Sequence, residues 1–434
     1  MRFDINHRFQ DNCLGGDEME LFTGPNPWPE IRKKRIDTLL PPAMKLAGVD
    51  AWLILCRENA NDPLAAHIGG ENAGATAAFL FQLQNGGVRS TVFCPWGEAV
   101  GLKELGLHDH VVVMEQPNQV WSDLAQHLQQ LNPQRIAVNC SHRAVADGLS
   151  WNQRQQLEQA LGPDLSARLV SADDLVSEWL SVKLPEEVDI MAKAGKLTVQ
   201  IQLEAYKTIV PGKTRDKDVA QFIQKTVEEL NLGYAWAPSH NPSVNSGFPR
   251  GHASASNKII EPGDFIQTDF GIKVYDTWCT DYQRFAYVLA PGETKPPAAA
   301  LDKWQKAVSG QRKALAAMKP GVKGVDVDLA QRHWMEEAGS LPVMWGTGHP
   351  VGYWAHDIGP ALTGGQRPQP PADALRPLRV GQTFAFDGFF CWQEERSYGS
   401  GQRLISVEEM AVVTPEGARY LIPPQQDLIL IPSP

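Results

Sequence analysis

Short apolar runs alternate with stretches of helical apolar spacing through the first 180 residues. The runs VDAWLILC at 49 to 56, TAAFLFQ at 76 to 82, STVFCP at 90 to 95, HVVVME at 110 to 115 and RIAVNC at 135 to 140 predict strands. Between them, WSDLAQHLQQL from Trp121 to Leu131 predicts a helix. This is the pattern of an α/β domain. The pairs Gly69-Gly70 and Gly86-Gly87 are read as turns, because no phosphate-cradling glycine loop follows any of these strands. The pattern changes near Ser181, where a proline, then acids, then helically spaced apolar residues in VKLPEEVDIMAKAGKLTVQIQLEAYKTI mark a helix start. We therefore divide the chain at about residue 180, into an N-terminal α/β domain over 1–180 and a C-terminal domain over 181–434. The second domain is predicted to hold a helix ending near Leu230 and another over 302 to 318. Strands are predicted at DFIQTDFGI (264 to 272), TFAFDGFF (383 to 390) and EEMAVVT (408 to 414).

Composition narrows the function. Hydrophobic residues at 43% and charged residues at 21% give each half enough apolar material for its own core. A net charge of -10 leaves no basic stripe to neutralise phosphates, which argues against nucleic acid and leaves small molecules or peptides as partners. No apolar run of membrane-spanning length occurs, and the opening MRFDINHRFQDNCLGG lacks the apolar core of a secretory signal, so the expectation is no membrane and a cytoplasmic location. Six scattered cysteines, Cys13, Cys56, Cys94, Cys140, Cys279 and Cys391, form no CxxC pair and are expected as buried or free thiols.

The candidate chemistry lies in acids that interrupt apolar strands. Asp269 sits in IQTDFG and Asp281 in WCTDYQRFAYV, after a hairpin turn expected around Tyr275 and Asp276. His349 follows in GTGHPVGYWAH, Asp387 in FAFDGFF and Glu408 in ISVEEM. One reading of Asp281 is structural, a salt bridge with Arg284. The other starts from cost: a carboxylate inside such a strand is unfavourable by several kcal/mol unless paired or coordinated. Two divalent ions would balance four carboxylates, with His349 as a neutral nitrogen ligand and a bridging water free to deprotonate near neutral pH. Oxygen-rich ligation with one imidazole suits manganese, with cobalt or zinc as alternatives.

The segments PSVNSGFPRGHASASN, PGDFIQTDFG, TDYQRFA, GTGHPVGYWAHDIGP, VGQTFAFDGFF and SVEEMAVVTPEG, in that order, resemble the signature blocks of the creatinase/prolidase/aminopeptidase P family. The similarity spans roughly Ser181 to Leu421. It implies a "pita-bread" metallopeptidase domain preceded by a smaller creatinase-like α/β domain. On this resemblance the metal ligands are Asp269, Asp281, His349, Asp387 and Glu408, with Asp281 and Glu408 among the bridging groups. His252 is the histidine near the substrate, and His356 the one that stabilises the tetrahedral intermediate. The implied reaction is hydrolysis of an Xaa-Pro peptide bond by a metal-bridging hydroxide, with Asp387 passing a proton to the leaving nitrogen. Trp354, beside His356, would wall an apolar pocket. The family's N-terminal domain often mediates association, so a homodimer is among the expectations.

The chain also departs from the family pattern. Asp387 stands where the family has glutamate, and Ser406 where it has arginine, with Arg403 or Arg396 as conceivable substitutes. The hairpin between Asp269 and Asp281 is about one residue longer. Two other readings therefore stay open: a metal-free creatinase-like amidinohydrolase, and a binding protein of the same fold whose catalysis was lost with the change at Asp387.

Overall fold

The computed structural model describes residues 22–116, 118–251 and 253–433, so Cys13 and His252 lie outside the described residues. The chain divides into two compact units, one spanning Asn26–Leu180 and the other built mainly from Ser181 onward.

The first unit is organised by one six-stranded sheet. Its strands are β1 (Ala51–Cys56), β2 (Ala77–Gln84), β3 (Gly87–Pro95), β4 (His110–Met114), β5 (Ile136–Val138) and β6 (Leu169–Ser171), in the spatial order β4-β3-β2-β1-β5-β6. β1 to β3 run as an antiparallel meander, while β4, β5 and β6 join parallel to their neighbours. The β2–β3 turn places Asn85 and Gly86 at φ of 52° and 83°, backbone that these two residues tolerate. Helices Gln119–Leu131 and Trp151–Ser166 close one face over Leu53, Leu55, Leu80 and Phe93, using Leu124, Leu128 and Leu157. The second of these helices starts with a reciprocal Ser150–Gln153 capping box.

The second unit has three sheets. Its strands are β7 (Gly233–Tyr234), β8 (Ser243–Asn245), β9 (Phe265–Phe270), β10 (Ile272–Val274), β11 (Trp278–Cys279), β12 (Tyr282–Val288), β13 (Gly348–Pro350), β14 (Thr383–Arg396), β15 (Gly399–Thr414), β16 (Gly417–Tyr420) and β17 (Ile429–Ile431). The sheets are ordered β11-β10-β7, β17-β12-β9-β8 and β13-β14-β15-β16. The hairpin expected at Tyr275 and Asp276 is present, with φ of 52° at both residues. The ribbon β14–β15 is longer than its apolar runs predicted. Polar residues from Gln393 to Arg396 pair with Gly399 to Gln402, and the ladder carries both strands beyond the core.

Alternation along β14 and β15 separates two faces. Phe384, Phe386, Ala411 and Val413 turn toward helices Ala298–Ala317 and Gly324–Glu337, where they meet Ala314, Met318 and Val327. Asp387, Phe389, Ser406 and Glu408 fall on the opposite face. Gly388 permits this arrangement, because a Cβ there would stand 2.3 Å from the carbonyl oxygen of Ala307. No described helix is long and apolar enough to cross a membrane. Of the described cysteines, Cys56, Cys94, Cys279 and Cys391 are buried thiols and Cys140 is an exposed one.

Candidate active site

Four strands and one strand edge bring the acids together. β9 carries Asp269, and Asp281 immediately precedes β12, which pairs with β9 in antiparallel register. β13 carries His349 opposite Ala385, and the β14–β15 ladder sets Asp387 directly across from Glu408. A side-chain oxygen from each of Asp269, Asp281 and Glu408 lies within 4.8 Å of the others. Asp281 also forms a second such group with His349 and His356, and so is common to both. His349 Nε2 stands 3.8 Å from Asp281 Oδ2 and 3.7 Å from Glu408 Oε1. Its Nδ1 faces the carbonyl oxygen of Pro350 at 3.1 Å, so Nδ1 carries the proton and the Nε2 lone pair points at the carboxylates. The ring of the exposed His356 packs edge-on to that of His349, with centroids 4.2 Å apart.

The electrostatics of this cluster are unfavourable by themselves. Burial raises Asp269 to about 7. Burial, with the charges of Glu408, Asp269 and Asp387, holds Asp281 well above the ordinary carboxylate range. Asp387 and Glu408 are raised too, first by burial and then by neighbouring carboxylates. Asp387 Oδ1 is buried and accepts no hydrogen bond. A buried Asp387 oxygen without a donor, directly across the ladder from Glu408, and the close group of Asp269, Asp281 and Glu408 beside an imidazole lone pair fit divalent cations, although Asp387 itself falls in neither close group. The donor set is oxygen-rich, as hard cations require.

Arg284, which donates to the backbone carbonyl of Glu408 at 3.1 Å, offsets only part of the charge there. Arg284 turns away from Asp281 and pairs with Glu409 at 3.0 Å, with both groups almost fully buried. The salt bridge considered for Asp281 is therefore not formed with Arg284. Glu408 and Glu409 are adjacent and point to opposite faces of β15, so one serves the cluster and the other this structural pair. Where the family has arginine, Ser406 donates to Gln283 Oε1 at 2.7 Å. Gln267 Nε2 donates to the same oxygen at 2.6 Å and to Ser406 Oγ at 3.1 Å. Arg403 spends its guanidinium on the carbonyls of Ser246 and Phe265 and on Glu394, and Arg396 is tied to Asp264. A neutral network thus stands at position 406.

The loop from Gly352 to Ile358, which carries Trp354 and His356, is anchored from below by residues that sequence reasoning passed over. Lys183 Nζ meets Asp357 Oδ2 at 3.2 Å, with both side chains at or below 1% exposure. Asp357 also accepts from the backbone N–H groups of Tyr353 and Ile358. Glu187 accepts from Tyr353 Oη and from Trp278 Nε1 at 3.1 Å. Gly352 leaves room for the lysine stem, since a Cβ there would fall 2.2 Å from Lys183 Cε. Trp354 is half-buried on this loop.

Comparison with known proteins places these features in context. The description of Metallopeptidase family M24 matches residues 189–415, more than half of the chain. The Xaa-Pro dipeptidase of Pyrococcus furiosus is 24% identical over 260 residues, covering 59% of this chain and 67% of that protein. The probable dipeptidase PepE of Mycobacterium tuberculosis is 26% identical over 293 residues, covering 67% and 70%. Among solved structures, an Xaa-Pro dipeptidase from Bacillus anthracis superposes with a TM-score of 0.65 at 18% identity, over 93% of this chain and all of that one. An X-Pro aminopeptidase from Thermotoga maritima gives a TM-score of 0.65 at 21% identity, over 90% of this chain and all of that one.

Proposed function

The chain belongs to metallopeptidase family M24 and has the pita-bread fold, and from that premise we propose that it hydrolyses Xaa-Pro peptide bonds at a dinuclear centre held by Asp269, Asp281, His349, Asp387 and Glu408. The observation that carries the reading is the convergence of the carboxylates of Asp269, Asp281 and Glu408 within 4.8 Å, with Asp281 shared by the histidine group. When bound, two divalent ions, manganese by preference, would polarise the scissile carbonyl and lower the pKa of a water between them. His356 donates a hydrogen bond to the oxygen of the tetrahedral intermediate. Asp387, with one oxygen free of hydrogen bonds, takes a proton from the water and returns it to the leaving nitrogen. His252 is assigned to the substrate, and Trp354 to the wall of the pocket.

Stripping the protein with chelator and reloading it with manganese tests this reading. Elemental analysis should give close to two ions per chain, and an Xaa-Pro dipeptide or a proline-second peptide should be cleaved only by the loaded form. Asp269→Asn should bind less metal and lose activity by at least a hundredfold, about 2.7 kcal/mol of barrier. Absence of metal at every loading concentration would overturn the proposal in favour of the metal-free hydrolase. Full loading without cleavage of any Xaa-Pro peptide would favour the binding protein.

A further inference from the structure

An apolar pocket of about 340 Å³ opens on the same face of the β14–β15 ribbon as the acids. It is lined chiefly by Phe248, Val343, Trp345, Cys391 and Leu404, with Gln402 at its rim. Register fixes its position relative to the cluster. The cross-strand pairs Asp387–Glu408, Phe389–Ser406 and Cys391–Leu404 follow one another along one face. At roughly 3.3 Å per residue, Phe389 stands about 7 Å from the acids and Cys391 about 13 Å. Along this face the side chains therefore pass from acidic, through the buried neutral Ser406–Gln283 network, to apolar.

Each wall of the pocket continues into a segment that carries site residues. Phe248 follows β8, whose Ser243 pairs with Asp269, and it precedes His252 by four residues. Val343 and Trp345 lead directly into Thr347 and His349, and Trp345 packs edge-on to Phe389 at 6.0 Å. Trp345 is 48% exposed and Met344 86%, which leaves an apolar rim open to solvent. An exposed apolar pocket on the strand face that carries the acids is a candidate ligand contact.

We infer that this pocket binds an apolar side chain of the peptide substrate, two to four residues from the scissile bond, and that the enzyme therefore prefers peptides of four or more residues to dipeptides. The inference rests on the reading of the acidic cluster as the site of hydrolysis. A peptide in extended form advances by the same roughly 3.3 Å per residue as the ribbon beneath it. A dipeptide held at the acids ends short of Cys391, and the volume suits a side chain of leucine or phenylalanine size.

The test uses manganese-loaded protein and a peptide series: Ala-Pro, Ala-Pro-Ala-Ala, Ala-Pro-Ala-Leu and Ala-Pro-Ala-Ala-Leu, with the serine analogues of the leucine peptides and with Leu-Ala-Ala-Pro-Ala for extension on the other side. One leucine peptide should exceed its serine analogue in kcat/KM by about tenfold or more. That ratio should collapse in Leu404→Asp, and also in Trp345→Ser, whose exposed position makes misfolding a poor explanation. Equal kcat/KM across the series would overturn the pocket assignment while leaving the hydrolase intact. If no peptide is cleaved, calorimetric titration keeps the two apart. Tighter binding of the leucine peptide than of its serine analogue would uphold the pocket though the hydrolase reading fails, and equal binding would overturn both.

Discussion

Asp387 shows how much depends on one methylene. Its backbone is held on both sides, with its N–H donating to Thr347 at 2.8 Å and its carbonyl accepting from Gln331 at 2.8 Å. Gln311 holds the adjacent strand at the carbonyl of Val407. With the main chain fixed in this way, the shorter carboxylate cannot be brought inward, and one metal position should be weakly held. Asp387→Glu is expected to tighten manganese binding and raise turnover of the Xaa-Pro substrate, because ligand geometry tolerates only about 0.5 Å of error. Metal titration with matched kinetics decides the matter. Weaker binding and slower turnover in the glutamate variant would show that the pocket has closed around aspartate. The candidate ligands were legible because each charged residue breaks an apolar strand in a block resembling the family. That Glu408 rather than Glu409 faces the cluster follows from the period-two alternation of β15, and the Arg284–Glu409 pair on the other face bears it out.

At the scale of the element, the His356 loop depends on a partner far away in sequence. Lys183 and Asp357 are separated by 174 positions, and nothing in either segment alone announces the contact. Removing one member of a buried ion pair leaves an uncompensated charge, which costs about 3–5 kcal/mol. Lys183→Met should therefore destabilise the protein by that order in urea denaturation. Adding Asp357→Asn should recover part of the loss, since the neutral amide no longer needs the ammonium. If the double variant is less stable than Lys183→Met alone, the lysine is not there to balance Asp357. The predicted strands and helices are present with somewhat different ends, whereas the helices Trp151–Ser166 and Gly324–Glu337 and short strands such as β6 and β17 were not predicted from apolar periodicity. The distal ribbon, Gln393 to Gln402, is polar and gives no such signal, and the apolar pocket is walled by three segments distant in sequence, around Phe248, around Val343–Trp345 and on the β14–β15 ribbon, whose meeting no local pattern encodes.

At the scale of the molecule, the unit spanning Asn26–Leu180 has its own core and its own buried charge. Both carboxylate oxygens of Asp62 accept from Asn139 Nδ2, at 3.0 and 2.9 Å, and burial raises the carboxyl to about 6. An acid whose folded pKa lies above its unfolded value near 4 adds stability that is complete below pH 4 and is lost as pH rises through 6. The difference amounts to about 3 kcal/mol. Between pH 4 and pH 7, the protein should lose that much more stability to urea than Asp62→Asn does, and parallel pH profiles for the two would show that Asp62 does not titrate there. The α/β character of this unit was legible, but its strand order was not. Short β5 and β6 join at the far edge by contacts that no local pattern encodes.

The proposed ligands are spread over 140 positions, from Asp269 on β9 to Glu408 on β15, and only the closing of that last strand brings Glu408 to the others. During synthesis, a chain still short of residue 408 displays aspartates and an imidazole but no enclosed site. On the proposed ligand set, capture of both ions would follow translation of nearly the whole catalytic unit, and a product truncated before residue 408 would lack hydrolytic activity.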